Sequence, residues 1–108
     1  MKEYTVKVFE DGDKCWYLNG SMHREDGPAI EYKDGGKAWW LNGNVHREDG
    51  PAIEGTDGHK EWYLDGVRHR EDGPAIELAD GSKEWWLNGK RVTEEEHKRR
   101  TAKARGRK

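Results

Sequence analysis

Three histidines, His23, His46 and His69, each open the string His-Arg-Glu-Asp-Gly-Pro-Ala-Ile-Glu. An imidazole, a guanidinium and two carboxylates in four consecutive residues are the ingredients of a metal centre or of acid–base catalysis. A zinc site needs ligands converging at about 2.0–2.3 Å. Equivalent positions in repeats two strands apart lie about 9–10 Å from one another. No single ion bridges that gap, so neither a metal nor a cofactor is expected. A general acid or base is an enclosed group with a tuned pKa, the reverse of three identical copies on an open surface. The expected chemistry is instead an ion-pair row. Arg24, Arg47 and Arg70 should neutralise carboxylates of their own or the adjacent unit and fix stacking register, each exposed pair contributing little. No catalytic residue is expected, and the chain reads as a non-enzyme.

The elements that position these residues follow from a fixed period. The strings recur every 23 residues, together with Trp16–Gly20, Trp39–Gly43, Trp62–Gly66 and Trp85–Gly89. Asp11-Gly12, Asp34-Gly35, Asp57-Gly58 and Asp80-Gly81 precede these, each with a Lys three residues after the Asp. Such self-similarity signals a repeat architecture, whose units bury apolar surface by stacking. The Asn-Gly and Asp-Gly dipeptides after the aromatic runs accept positive φ at both central positions of a type I′ turn, the strongest short-range hairpin signal. Gly27, Gly50 and Gly73 are expected to bend or bulge the chain before Pro28, Pro51 and Pro74. Asp26, Asp49 and Asp72 are expected to form Asx turns.

The fold class expected is all-β: a single-layer antiparallel meander of stacked β-hairpin repeats with a short C-terminal helix. The repeat domain covers residues 1–92, with a capping strand at 3–9, units at about 11–33, 34–56 and 57–79, and a partial unit at 80–92. Residues 93–108 form a basic helix or tail. Its helix, about Glu94–Ala102, starts at the capping box Thr93-Glu94-Glu95-Glu96 and carries three Glu-first i,i+4 pairs; fraying is expected from Thr101. Alternation across the strands sets Trp16, Trp39, Trp62 and Trp85 with Leu18, Leu41, Leu64 and Leu87 as a buried ladder, joined by Ile30, Ile53 and Ile76. Tyr17, Trp40, Tyr63 and Trp86 then line the opposite face.

Composition sharpens this. Of 108 residues, 31% are hydrophobic and 39% charged, yet six are Trp and four Tyr, so a shallow aromatic-lined sheet replaces a conventional core. The net charge of −2 hides a split. Residues 94–108 hold seven basic and three acidic groups (+4), leaving thirteen against nineteen (−6) elsewhere. The lone Cys15 excludes an intramolecular disulfide and fits a reducing compartment. Without an apolar stretch, neither a signal peptide nor a membrane span is expected, and the location expected is cytoplasmic.

The 23-residue period, the Asp-Gly and Asn-Gly turns, Trp40 and Trp86 three residues before the turn Gly, and His23, His46 and His69 three residues after it resemble MORN repeats. The resemblance covers about residues 10–91. It departs at Cys15, Ala38, Glu61 and Glu84, where that family carries glycine, and at Arg24, Arg47 and Arg70. It implies an elongated single-layer sheet used as a contact platform. The fuller string is similar to a MORN-like variant in small bacteriophage and large-virus proteins, which implies a host-directed role in host cytoplasm.

A binding role follows from the residues as well. Repeat arrays offer extended surfaces, and interfaces are enriched in Trp, Tyr and Arg. The partner-contact residues expected are Tyr17, Trp40, Tyr63 and Trp86 with Arg24, Arg47 and Arg70, and the partner a host protein. Edge strands offer a route to a homo-oligomer. The alternative is a nucleotide or nucleic acid held by exposed rings and by Lys98, Arg99, Arg100, Lys103 and Arg105. Function is expected where the units differ: Ser21-Met22, Asn44-Val45, Val67-Arg68, the second aromatic row and the tail.

Overall fold

The structure, a computed structural model, describes the backbone of residues 3–105 and the side chains of residues 3–102. The chain runs as a meander. Strands β1 (Tyr4–Val8), β2 (Lys14–Leu18), β4 (Ile30–Glu31), β5 (Lys37–Ala38), β8 (Ile53–Glu54), β9 (Lys60–Glu61), β12 (Ile76–Glu77), β13 (Lys83–Leu87) and β14 (Lys90–Val92) are neighbours in that order, with β3 (Ser21–Met22) beside β2. The hairpins β6 (Trp40–Leu41) with β7 (Asn44–Val45), and β10 (Tyr63–Leu64) with β11 (Val67–Arg68), extend the middle units. All pairings are antiparallel, and a single helix, α1 (Glu94–Arg105), ends the described chain. The described residues span 46 × 35 × 18 Å, a thin slab. No helix among them is long and apolar enough to cross a membrane.

Both turn types arise from their dipeptides. Asn19, Asn42, Asp65 and Asn88 have φ of 49–53°, and each is followed by a Gly at positive φ, the type I′ geometry expected. The Asp-Gly turns differ: only the Gly is left-handed (Gly35, φ 98°), with Gly35 N–H donating to Tyr32 and Tyr32 N–H to Gly36. That is a type I turn closed by a G1 bulge. Its aspartate caps the residue two ahead, as Asp34 Oδ1 accepts from Gly36 N–H at 2.9 Å. The Asx turns thus fall here, and Asp26, Asp49 and Asp72, expected to make them, pair with arginine instead.

Register is written twice across the sheet. One row alternates in charge, Lys14–Glu31–Lys37–Glu54–Lys60–Glu77–Lys83, and opposite charges directly across a pair are stabilising. The next row runs Cys15–Ile30–Ala38–Ile53–Glu61–Ile76–Glu84. A one-residue slip would exchange the two rows between faces.

The burial expected for the tryptophan–leucine ladder is corrected. Trp16, Trp39, Trp62 and Trp85 are half-buried, Leu64 is exposed, and of the leucines only Leu87 is buried. Among the described residues the deepest are Ala29, Ala52 and Ala75 at 0% exposure, and no large side chain is fully buried. One layer has no second sheet to cover its rings, so only small residues beside the returning backbone become fully enclosed. The register also moves Ile30, Ile53 and Ile76 to the face opposite Trp16, since they pair with Cys15, Ala38, Glu61 and Glu84.

Candidate functional site

Two faces result, which we term the loop face and the variable face. On the loop face, the six residues from His23 to Pro28, and their repeats, leave the strand between its two paired segments. The Arg24 guanidinium lies 4.0 Å over the Trp16 ring, donates through Nε to Asp26 (3.1 Å), and through Nη1 to the Pro28 carbonyl and Glu31 (3.1 and 3.2 Å). Arg47 repeats this on Trp39, Asp49, Pro51 and Glu54, and Arg70 on Trp62, Asp72, Pro74 and Glu77. The expected ion-pair row is present, and the rings add cation–π contacts. Gly27, Gly50 and Gly73 are outside the positive-φ set. The chain bends at all three, as expected, and the missing side chain also allows a close approach: a Cβ would meet the arginine Cζ at 3.1, 3.1 and 2.8 Å.

The histidines are locks between units. His23 Nδ1 accepts the Asn42 amide at 2.8 Å, His46 Nδ1 that of Asp65, and His69 Nδ1 that of Asn88. An accepting Nδ1 carries no proton, so Nε2 carries it and faces Glu25, Glu48 or Glu71 at 3.1–3.3 Å. Each imidazole therefore ties its loop to the turn of the following unit, and both nitrogens are engaged. Among the described residues no group of three or more His, Cys, Asp or Glu converges on a metal-sized site.

Between successive loops lie two repeat-related clefts. One, about 620 Å³, has Trp39 and Leu41 between the walls Arg24–Gly27 and His46–Asp49; its counterpart, about 420 Å³, has Trp62 and Leu64. Their rims are acidic, with Asp26 and Asp49 nearly wholly exposed.

The variable face holds Tyr17, Trp40, Tyr63 and Trp86, and here the units diverge in a correlated way. In the third unit Glu61 accepts from Tyr63 Oη (2.6 Å), contacts His59 Nε2 and pairs with Arg68 (3.4 Å). Burial alone would raise the Glu61 pKa; hydrogen bonds from Tyr63 and His59, and the His59 and Arg68 charges, outweigh it and hold the carboxyl below the usual glutamate range. Burial, then the bond to Glu61, pushes Tyr63 upward. Arg68 also spans to the next unit, 4.6 Å over Trp86. In the fourth unit Trp86 Nε1 donates to Glu84 at 3.0 Å, with Arg91 3.9 Å from that carboxylate. The first two units replace each acid and arginine together, by Cys15 with Met22 and by Ala38 with Val45. Cys15 is buried, which raises its thiol pKa. Trp40, with Ala38 where Trp86 has Glu84, is left with its buried indole N–H unpartnered among the described residues. The face is thus apolar over two units and charged over two.

The residues expected to contact a partner are divided by this geometry. Tyr17, Trp40, Tyr63 and Trp86 line the variable face, whereas Arg24, Arg47 and Arg70 lie over the first-row tryptophans on the loop face, already bonded. Adjacent strand residues point oppositely, so one flat contact cannot use both sets. The alternative set lies on α1, which starts at Thr93, whose Oγ1 accepts the Glu96 amide at 3.0 Å. The helix runs to Arg105, beyond the expected end at Ala102. Lys98 and Arg100 pair with Glu94 and Glu96 one turn earlier; Arg99 is exposed, and the Lys103 and Arg105 side chains lie outside the described set. Sequence reasoning missed His97, 3% exposed, whose Nε2 donates to the Arg70 carbonyl at 2.7 Å and docks α1 on the third loop. It also missed the His59–Glu61–Tyr63–Arg68 cluster, although aligning the four units shows acid and arginine changing together. No protein-family model, curated protein or solved structure matches this chain.

Proposed function

We propose that this chain is a non-enzymatic scaffold that binds another macromolecule through its variable face, the partner being a protein. The observation that carries the reading is the division of labour between faces. The histidines, repeated identically in three of the four units, are consumed in holding units together, while Tyr17, Trp40, Tyr63 and Trp86 stand among side chains that change from unit to unit. Half-buried rings give large contact area at small entropy cost, and pairing an apolar half with a charged half makes a contact specific as well as adhesive. The excess of carboxylates outside the tail favours a partner presenting a basic surface. The resemblance to viral MORN-like chains makes that partner a host protein, inhibited or redirected during takeover or defence evasion. The test is affinity capture from bacterial lysate with face-specific variants. A stoichiometric protein retained by the wild type and by D26N/D49N, but lost with Y17S/W40S at an unchanged melting temperature, supports the proposal. Nuclease-sensitive capture abolished by K98E/R99E/R100E would instead favour nucleic acid.

A further inference from the structure

The two ends of the sheet are finished differently. At the C-terminal end β14 is three residues long, carries exposed Lys90 and Arg91, and is followed by α1, which packs against β13. Charges, brevity and a covering helix are the usual protections of an edge. At the other end β1 is a five-residue strand exposed throughout, with Tyr4, Val6 and Val8 at 37%, 45% and 66%.

The backbone of β1 faces outward at those same three residues. Antiparallel pairs alternate between bonded and non-bonded. Phe9 N–H donates to the Asp13 carbonyl, which makes Phe9–Asp13 a bonded pair. By alternation Lys7–Cys15 and Thr5–Tyr17 are bonded, and Val8–Lys14, Val6–Trp16 and Tyr4–Leu18 are not. The opposite side of β2 agrees, since Trp16 N–H turns away from β1 to the Ala29 carbonyl. The N–H and C=O groups of Tyr4, Val6 and Val8 therefore point away from the sheet.

We propose that β1 pairs antiparallel with β1 of a second copy about a two-fold axis midway between the two Val6 residues, joining two sheets into one. Three independent features meet in that register. Val6 opposes Val6 of the second copy, and Tyr4 opposes its Val8, so every outward donor and acceptor gains a partner. Parity is preserved, so the exposed apolar side chains fall together on the loop face. Thr5 opposes Lys7 on the variable face, so no like charges stand directly opposite. Tyr4 is held in place beforehand by stacking on His23, with ring centroids 6.3 Å apart. An isologous edge contact is closed by its own symmetry, so it stops at two copies. A five-residue strand buries well under the roughly 1,200 Å² of a standard stable interface, so the association is weak and concentration-dependent. Both faces of the sheet stay open, which keeps this pairing separable from the partner contact proposed above.

Sedimentation equilibrium across a concentration series tests it. The wild type is expected to shift from monomer to dimer, and no further, toward high micromolar protein. Val6→Pro removes only an outward N–H, which an edge strand tolerates, and should abolish the shift. Val6→Lys and Val6→Glu should each be monomeric, yet form a mixed dimer when combined, because the two side chains then face each other. Circular dichroism verifies that each variant is folded. A wild type monomeric throughout, a dimer that survives both Val6→Pro and Val6→Lys, or variants that fail to recombine would overturn the proposal.

Discussion

The arginine–glycine contact is the tightest residue-level constraint in the repeats. At Gly73 a Cβ would stand 2.8 Å from the Arg70 Cζ, and the guanidinium cannot retreat without losing Trp62, Asp72, Pro74 and Glu77 together. Gly73→Ala is expected to cost about 1–3 kcal/mol by overpacking. In an Arg70→Ala background the same change should cost much less, a coupling measurable by denaturant unfolding of the four proteins. Glu61 sets a pH-dependent term. Its folded pKa is depressed, so its contribution is fully present above the unfolded value and is lost as pH falls through the folded one. Melting temperature should therefore drop on acidification below about pH 4.5 in the wild type, and less steeply in Glu61→Gln. That glycine and its bend were legible in the sequence, but the guanidinium contact was not, because it depends on where a side chain three residues earlier folds back.

Within a hairpin, the acid before the second aromatic and the arginine in the return strand form one exchangeable set. Ala38→Glu supplies the acceptor that Trp40 lacks, but adds a carboxylate at a buried site with Val45 across the hairpin where the fourth unit has Arg91, so alone it should destabilise by about 1–3 kcal/mol. Adding Val45→Arg recreates the arrangement of the fourth unit, and A38E/V45R should recover most of that loss in thermal melts. At the helix, His97→Ala removes the bond to the Arg70 carbonyl. It should release α1, seen as reduced helical ellipticity and faster amide exchange in residues 94–102, with β-sheet signal kept. Turns, hairpins and helix start were legible because Asn-Gly, Asp-Gly and Thr-x-x-Glu act through local backbone chemistry. The burial pattern was not, because alternation says which residues share a face but not whether anything covers it.

As a whole, the molecule is close to one-dimensional: each unit touches its neighbours and little else. Stability should then approximate a sum of unit and interface terms. Deleting residues 34–56 joins Lys33 to Asp57 and brings His23 to the Asp65 turn in place of Asn42, an interface already realised by His46 and Asp65. The shortened chain is expected to fold with the same hairpin signature and a lower melting temperature, as circular dichroism and calorimetry can verify. The period in the sequence made this modularity plain; the direction of the locks was hidden, because the imidazole and its amide lie 19 residues apart. That direction has a temporal meaning. Every loop is fastened by a turn made later, the third by Asn88 and again by His97, so on the ribosome each unit should wait for its successor. Co-translational folding is thus expected to trail synthesis by nearly one repeat, with each loop gaining protease protection only after the following turn has been made.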